Sequence, residues 1–287
     1  MNFTVLLEET SHAFPLWDEQ PIEEAFTLTS LDQSNSSCTA VVTSVSRPWL
    51  LAFAPTSKPN NRAILILGGG GYIELMVGRE GIQVARWLAS LGFHAFVLIH
   101  RFPNAETGTL APLDDARQAL RLIHAKGFAL KGLGVCGLSS GGHLGAALLA
   151  KYPEQWTDRI QEEVPEIEFA IIGYAPISTN AVGRQIVPNK APLEPAEKQK
   201  LYDTVQPDVQ LRVPAPSTFV VYAGNDQVVP VVNAYRLAEG LGKAGAAVEL
   251  HVFADAPHGF GVDTLGLPVS GWTGMCEAWM RQNGLLG

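Results

Sequence analysis

With 287 residues, 47% of them hydrophobic, the chain can bury a large core, and lengths of this order commonly form one α/β domain. The formal net charge of -8 leaves no basic footprint for nucleic acid or an anionic membrane surface, and no apolar run approaches the length of a bilayer span. Cys38, Cys136 and Cys276 lie far apart without Cys-x-x-Cys spacing, which argues against a disulfide framework or a zinc site.

One domain over residues 1–287 is therefore expected. Glu8 and Glu9 follow Met1 closely without basic residues, so the amino terminus does not read as a secretory signal. The expected compartment is the cytoplasm, or the exterior if a leader was removed ahead of Met1. Residues 1–24, with Pro15 and Pro21, suit an irregular lead-in. Residues 25–31, 40–45 and 49–54 are β-rich and separated by Ser, Asn and Pro, which predicts a short antiparallel edge.

From residue 63 the pattern becomes strand, loop, helix, repeated. An apolar strand over 63–67 runs into Gly68-Gly69-Gly70-Gly71-Tyr72. Helical spacing of Val84, Trp87, Leu88 and Leu91 over 79–91 closes at Gly92. A strand over 94–99 precedes a helix over 112–124, with Leu113, Ala116, Leu120 and Ile123 on its apolar face. Strands over 133–138, 169–174, 218–223 and 248–253, and helices over 231–241 and 271–281, complete the alternation. Such alternation predicts an α/β fold, a mostly parallel central sheet with helices on both faces. Residues 176–215 are polar, rich in Pro and too long for a plain connection, so a cap-like insertion with a short helix near 196–202 is expected.

The strand over 133–138 runs through Gly137-Leu138-Ser139-Ser140-Gly141 into a run of small apolar residues. In that context Gly-x-Ser-x-Gly reads as a nucleophile elbow, with Ser139 at the tip of a strained turn and the next helix aiming its free N–H groups at a developing oxyanion. An ordinary helix-capping serine is the bland alternative. A serine hydroxyl needs a base, and the base needs an orienting group. Among seven histidines, His258 lies just beyond the last strand, at the sheet end where ligand-facing loops of parallel sheets gather. Asp226 follows the preceding strand, and Asp255 is its rival. The order Ser139, Asp226, His258 is that of the α/β-hydrolase architecture. Oxyanion donors are expected from the amide of Ser140 and from Gly69 and Gly70, where absent side chains let the backbone approach substrate. The glycine run lacks the pattern of a phosphate-binding loop.

The blocks Ile64 to Tyr72, Glu80 to Leu91, Phe96 to Arg101, Ala111 to Ala116, Gly137 to Leu144, Gly224-Asn225-Asp226 with Val229-Pro230, and Glu249 to Gly261 together resemble the acetyl-xylan and feruloyl esterase branch of the α/β-hydrolase fold, near the hormone-sensitive-lipase type. Two departures stand out. Gly68 replaces a Pro that usually precedes Gly-Gly-Gly-Tyr, and His100-Arg101 replaces Tyr-Arg. The resemblance implies a serine esterase that needs no cofactor and no metal, and removes small acyl groups, acetyl above all, from carbohydrates such as xylan fragments. Its partner would be a small-molecule or oligosaccharide ester, with Tyr72 and His100 among the substrate contacts. Three alternatives are a small-ester carboxylesterase of other specificity, a prolyl-oligopeptidase-type peptidase, which usually carries a propeller for which 287 residues leave no room, and a catalytically silent hydrolase fold used for binding.

Overall fold

The strands from residue 63 onward are continuous apolar runs, and such runs are buried only when a sheet is covered on both faces. A computed structural model describes residues 4–17, 25–32, 36–151, 164–187 and 189–286. Part of the lead-in, residues 1–3 and 18–24, and Pro188 of the expected insertion lie outside the described residues. The strands are β1 (His12–Pro15), β2 (Phe26–Ser30), β3 (Ala40–Val45), β4 (Trp49–Phe53), β5 (Ala63–Leu67), β6 (His94–Ile99), β7 (Leu133–Leu138), β8 (Phe169–Gly173), β9 (Ser217–Ala223) and β10 (Val248–Phe253). The helices are α1 (Thr4–Leu7), α2 (Gln83–Ser90), α3 (Ala111–Ala125), α4 (Ser140–Ala147), α5 (Ala196–Thr204), α6 (Pro207–Gln210), α7 (Val232–Lys243) and α8 (Trp272–Gln282).

Eight strands form one sheet in the order β1-β4-β6-β5-β7-β8-β9-β10. Strand β4 runs antiparallel to both its neighbours, and every other pair is parallel. All five residues of β5 have no solvent exposure, and burying each of its four large side chains stabilises by about 2 kcal/mol.

The antiparallel edge differs from expectation in its membership. Strands β2 and β3 pair with each other in a separate two-stranded sheet, while β4 joins the main sheet with β1, drawn from the lead-in expected to be irregular. Burial explains the split. In β2 only Phe26 and Leu28 are buried, as in a sheet with one wet face, whereas all of β4 is buried and requires partners on both sides. Pro15 is tolerated in β1 because that strand is the edge. The helix expected over 79–91 begins instead as a π-helical turn, Val77–Ile82, that leads into α2.

The chain passes from β5 through α2 to β6 on one side, then returns through α3 to β7 on the other side of β5. Loops leaving the carboxyl ends of β5 and β7 therefore diverge, and a crevice opens between them. Those two loops are the glycine run and the turn at Ser139. Helix α4 is buried throughout and sits close on the sheet, because a Cβ on Gly141 would collide with the Leu67 carbonyl and one on Gly137 with the Gly141 carbonyl. Between β8 and β9, α5 lies against the glycine run, with the Tyr202 ring 5.7 Å from that of Tyr72 and 4.6 Å from His143.

Candidate active site

Strand β7 ends at Leu138 and α4 starts at Ser140, so Ser139 alone must reverse the chain. It does so at φ 53, ψ -126, a conformation that costs on the order of 1–3 kcal/mol in a non-glycine residue and persists only where packing enforces it. The Ser139 Oγ lies 2.9 Å from His258 Nε2, and His258 Nδ1 lies 2.7 Å from Asp226 Oδ2. The Asp226 side chain is fully buried. Burial alone would raise its pKa, but the hydrogen bond to His258 and the amides of Val229 and Val228 outweigh that and hold the carboxyl below its usual range. An ionised carboxylate only accepts. Nδ1 therefore carries the imidazole proton, and Nε2 offers its lone pair to the hydroxyl. Asp255 is engaged elsewhere, by the side-chain amide of Asn225.

The glycine run approaches from the other side. A Cβ on Gly69 would lie 2.5 Å from the Ser139 Cβ, so the loop abuts the serine. Here the structure corrects one expectation: the Gly69 N–H donates to Glu80 Oε2 at 2.6 Å and is not free for an oxyanion. The acceptor is a buried carboxyl group of the protein itself, which occupies this amide in the free site. Among the described residues, the amides of Gly70 and Ser140 donate to no protein acceptor, while that of Gly71 donates to Ser140 Oγ at 2.9 Å. Two free amides thus flank Ser139.

Glu80 is a site residue that motif reading passed over. It is only 3% exposed, and its Oε1 accepts from the Tyr174 hydroxyl at 3.1 Å. The Tyr174 hydroxyl also accepts from the Gly261 amide at 3.3 Å, and its ring packs edge-on to His258 at 5.4 Å. Burial pushes the Glu80 pKa up by more than these bonds, His258 and Arg79 pull it down. One carboxyl therefore links the glycine loop to the loop that carries the imidazole. Its sequence signal was position: Glu80, Val84 and Leu88 fall at i, i+4 and i+8 on one helical face, a carboxylate on an apolar stripe.

Tyr72 and His100 are corrected too. Both are 1% exposed and face the interior, not the crevice. The Tyr72 hydroxyl meets His143 Nδ1 at 2.9 Å, and His100 Nδ1 donates to the Arg101 carbonyl at 2.8 Å. His143 Nε2 donates to the Val205 carbonyl at 2.8 Å, which leaves Nδ1 to accept from Tyr72. Polar groups satisfied in this way support the crevice from behind. Behind the rim, Arg101 pairs with buried Asp115 at 2.6 Å and holds the end of β6 against α3. Among the described residues, no three His, Cys, Asp or Glu side chains gather as metal ligands would.

A sequence profile of the prolyl oligopeptidase family matches residues 108–267, more than half of the chain. The chain belongs to the prolyl oligopeptidase family. The matched segment contains Ser139, Asp226 and His258 but neither the glycine run nor Glu80. An acetylxylan esterase of Xylanibacter ruminicola is 28% identical over 223 residues, 75% of this chain and 44% of that protein. Endo-1,4-beta-xylanase B of Butyrivibrio fibrisolvens is 26% identical over 241 residues, 79% of this chain and 36% of that protein. The chain thus spans less than half the length of these curated relatives. Among solved structures, an acetyl ester-xyloside bifunctional hydrolase from Caldicellulosiruptor lactoaceticus is similar with a TM-score of 0.70 and 27% identity, covering 97% of this chain and 98% of that one. A carboxylesterase from Lactobacillus plantarum shares the fold at a TM-score of 0.67 and 17% identity, covering 91% of this chain and 98% of that one. The family member described here has the α/β-hydrolase fold.

Proposed function

We propose that this protein is a serine esterase that removes small acyl groups, acetyl above all, from carbohydrates such as xylan fragments. The observation that carries the reading is the continuous chain from Ser139 Oγ through His258 to Asp226, at 2.9 and 2.7 Å, beside two unused amides. In this mechanism Ser139 attacks the ester carbonyl while His258 Nε2 takes its proton. Charge then develops on the carbonyl oxygen, where the Gly70 and Ser140 amides donate to it. His258, held by Asp226, returns the proton to the leaving sugar hydroxyl, and an acyl-serine remains. Water attacks that ester by the same route in reverse and releases the acid. The choice of acetyl and of carbohydrate is supported by the names of the relatives, whose similarity extends over three quarters of this chain.

The experiment is acetate release from acetylated xylo-oligosaccharides and from p-nitrophenyl acetate, with Ser139→Ala as control. The intact protein releases acetate from both, and Ser139→Ala loses on the order of 10⁴ to 10⁶ in kcat. Near-normal turnover by that variant would contradict the assignment. The family match also supports a peptidase reading, and cleavage of a Gly-Pro anilide in place of the esters would favour it.

A further inference from the structure

Lys198 sits on α5, one turn before Tyr202, whose ring is packed against Tyr72 and His143. That packing fixes the face of α5 that meets the glycine run. The Lys198 Nζ lies 3.8 Å from the point where a Cβ on Gly71 would stand, and the Gly71 amide is bonded to the residue next to Ser139. The ammonium is therefore held at the rim of the crevice. It is half-buried, and burial, then the nearby charge of Lys190, lowers its pKa. Lys190 reaches back to Asn180 Oδ1 at 2.7 Å.

Neither ammonium has a carboxylate within ion-pairing distance among the described residues. The aspartates of this segment are engaged elsewhere: Asp203 accepts from the Val182 amide and Gln199, and Asp208 pairs with Arg184. A half-buried cation without a counter-charge is costly, and a second cation beside it adds to the cost. In a chain with eight more acidic than basic residues, Lys198 at the rim, with the more exposed Lys190 near it, is a local concentration of positive charge that an anionic group would offset.

We propose that Lys198, with Lys190 behind it, binds a carboxylate carried by the ester substrate, so that acidic esters are preferred over neutral ones. The inference rests on the esterase reading and names its substrate class. The carboxylate can belong to the alcohol side, as in a uronic acid, or to the acyl side, as in a dicarboxylic half-ester. Two matched pairs separate these sources: para-acetoxybenzoate against para-acetoxybenzamide, and p-nitrophenyl hydrogen succinate against p-nitrophenyl butyrate.

In at least one pair the anionic member is expected to have about tenfold higher kcat/KM, as a charge-assisted contact supplies. Added salt should compress that ratio. Lys198→Gln should abolish the ratio and Lys198→Glu should invert it, with the thermal midpoint of each variant measured to show that it is folded. The pair that responds identifies the side. No anionic preference in either pair, or a preference that neither variant moves, overturns the proposal while neutral-ester turnover leaves the esterase reading standing. Absence of turnover with all four esters would instead bring down the esterase reading, and the proposal with it.

Discussion

The two flanks of Ser139 are built on different principles. On one, His258 and Asp226 meet through side chains, and their identities, order and loop positions all carry chemical meaning. On the other, free backbone amides face the serine, and the glycine loop beside it is tied from beneath by Glu80, a buried residue in a different element. The family match covers all of the first flank and only part of the second, taking in Ser140 but neither the glycine run nor Glu80. A side-chain device can be read from its residues, whereas a backbone device is only as visible as its support.

The first flank should fail hardest. Asp226→Asn keeps the shape but removes the charge that holds the imidazole in its working tautomer, and kcat should fall on the order of 10⁴ with little change in KM. Activity within tenfold of the intact protein would mean that the carboxylate does not orient His258. The second flank should fail more softly and by a different route. Glu80→Ala leaves the Gly69 amide and the Tyr174 hydroxyl without their acceptor, so kcat should fall about 10²-fold and stability by about 1–3 kcal/mol. Glu80→Gln keeps an acceptor for Gly69 and should lose about tenfold less activity than the alanine variant. Equal losses in kcat would place the effect in the charge of Glu80 and not in its bonds.

The effect with the least bearing on turnover belongs to the support behind both flanks and is read in stability alone. Burial pushes the His143 pKa from its ordinary 6.5 down to about 4, so the folded protein holds this imidazole neutral. The unfolded chain takes up the proton first as pH falls. The stability that His143 contributes is therefore complete above its ordinary pKa and is lost as pH drops through the folded value, about 3 kcal/mol in all. Denaturant titrations across that range should show the loss, and His143→Gln, which can still bond Tyr72 and Val205, should flatten it.

Much of this was legible in the sequence because burial on both faces leaves a plain trace. Continuous apolar runs announced β5 to β9, and the turn at Ser139 was marked by glycines that close packing requires. Asp226 and His258 stand where loops leave the carboxyl ends of β9 and β10. Where the reading fell short, a local pattern was overridden by packing. Strand β1 is short and ends in proline, so it shows no run of its own and exists by pairing with β4. Tyr72 and His100 looked like substrate contacts because they adjoin the site in sequence, yet hydrogen-bond partners in the interior hold them there. Gly69 looked like a free donor because nothing local shows that a carboxylate eleven residues later claims its amide.

Covalent labelling tests the central claim most directly. Treatment with a fluorophosphonate followed by intact-mass and peptide mass spectrometry should give one adduct on the peptide containing Ser139. That adduct should be absent in Ser139→Ala and strongly slowed in Asp226→Asn. An unlabelled intact protein, or a label on another residue at the same rate in all three, would show that the 2.9 Å contact between hydroxyl and imidazole does not make Ser139 a nucleophile.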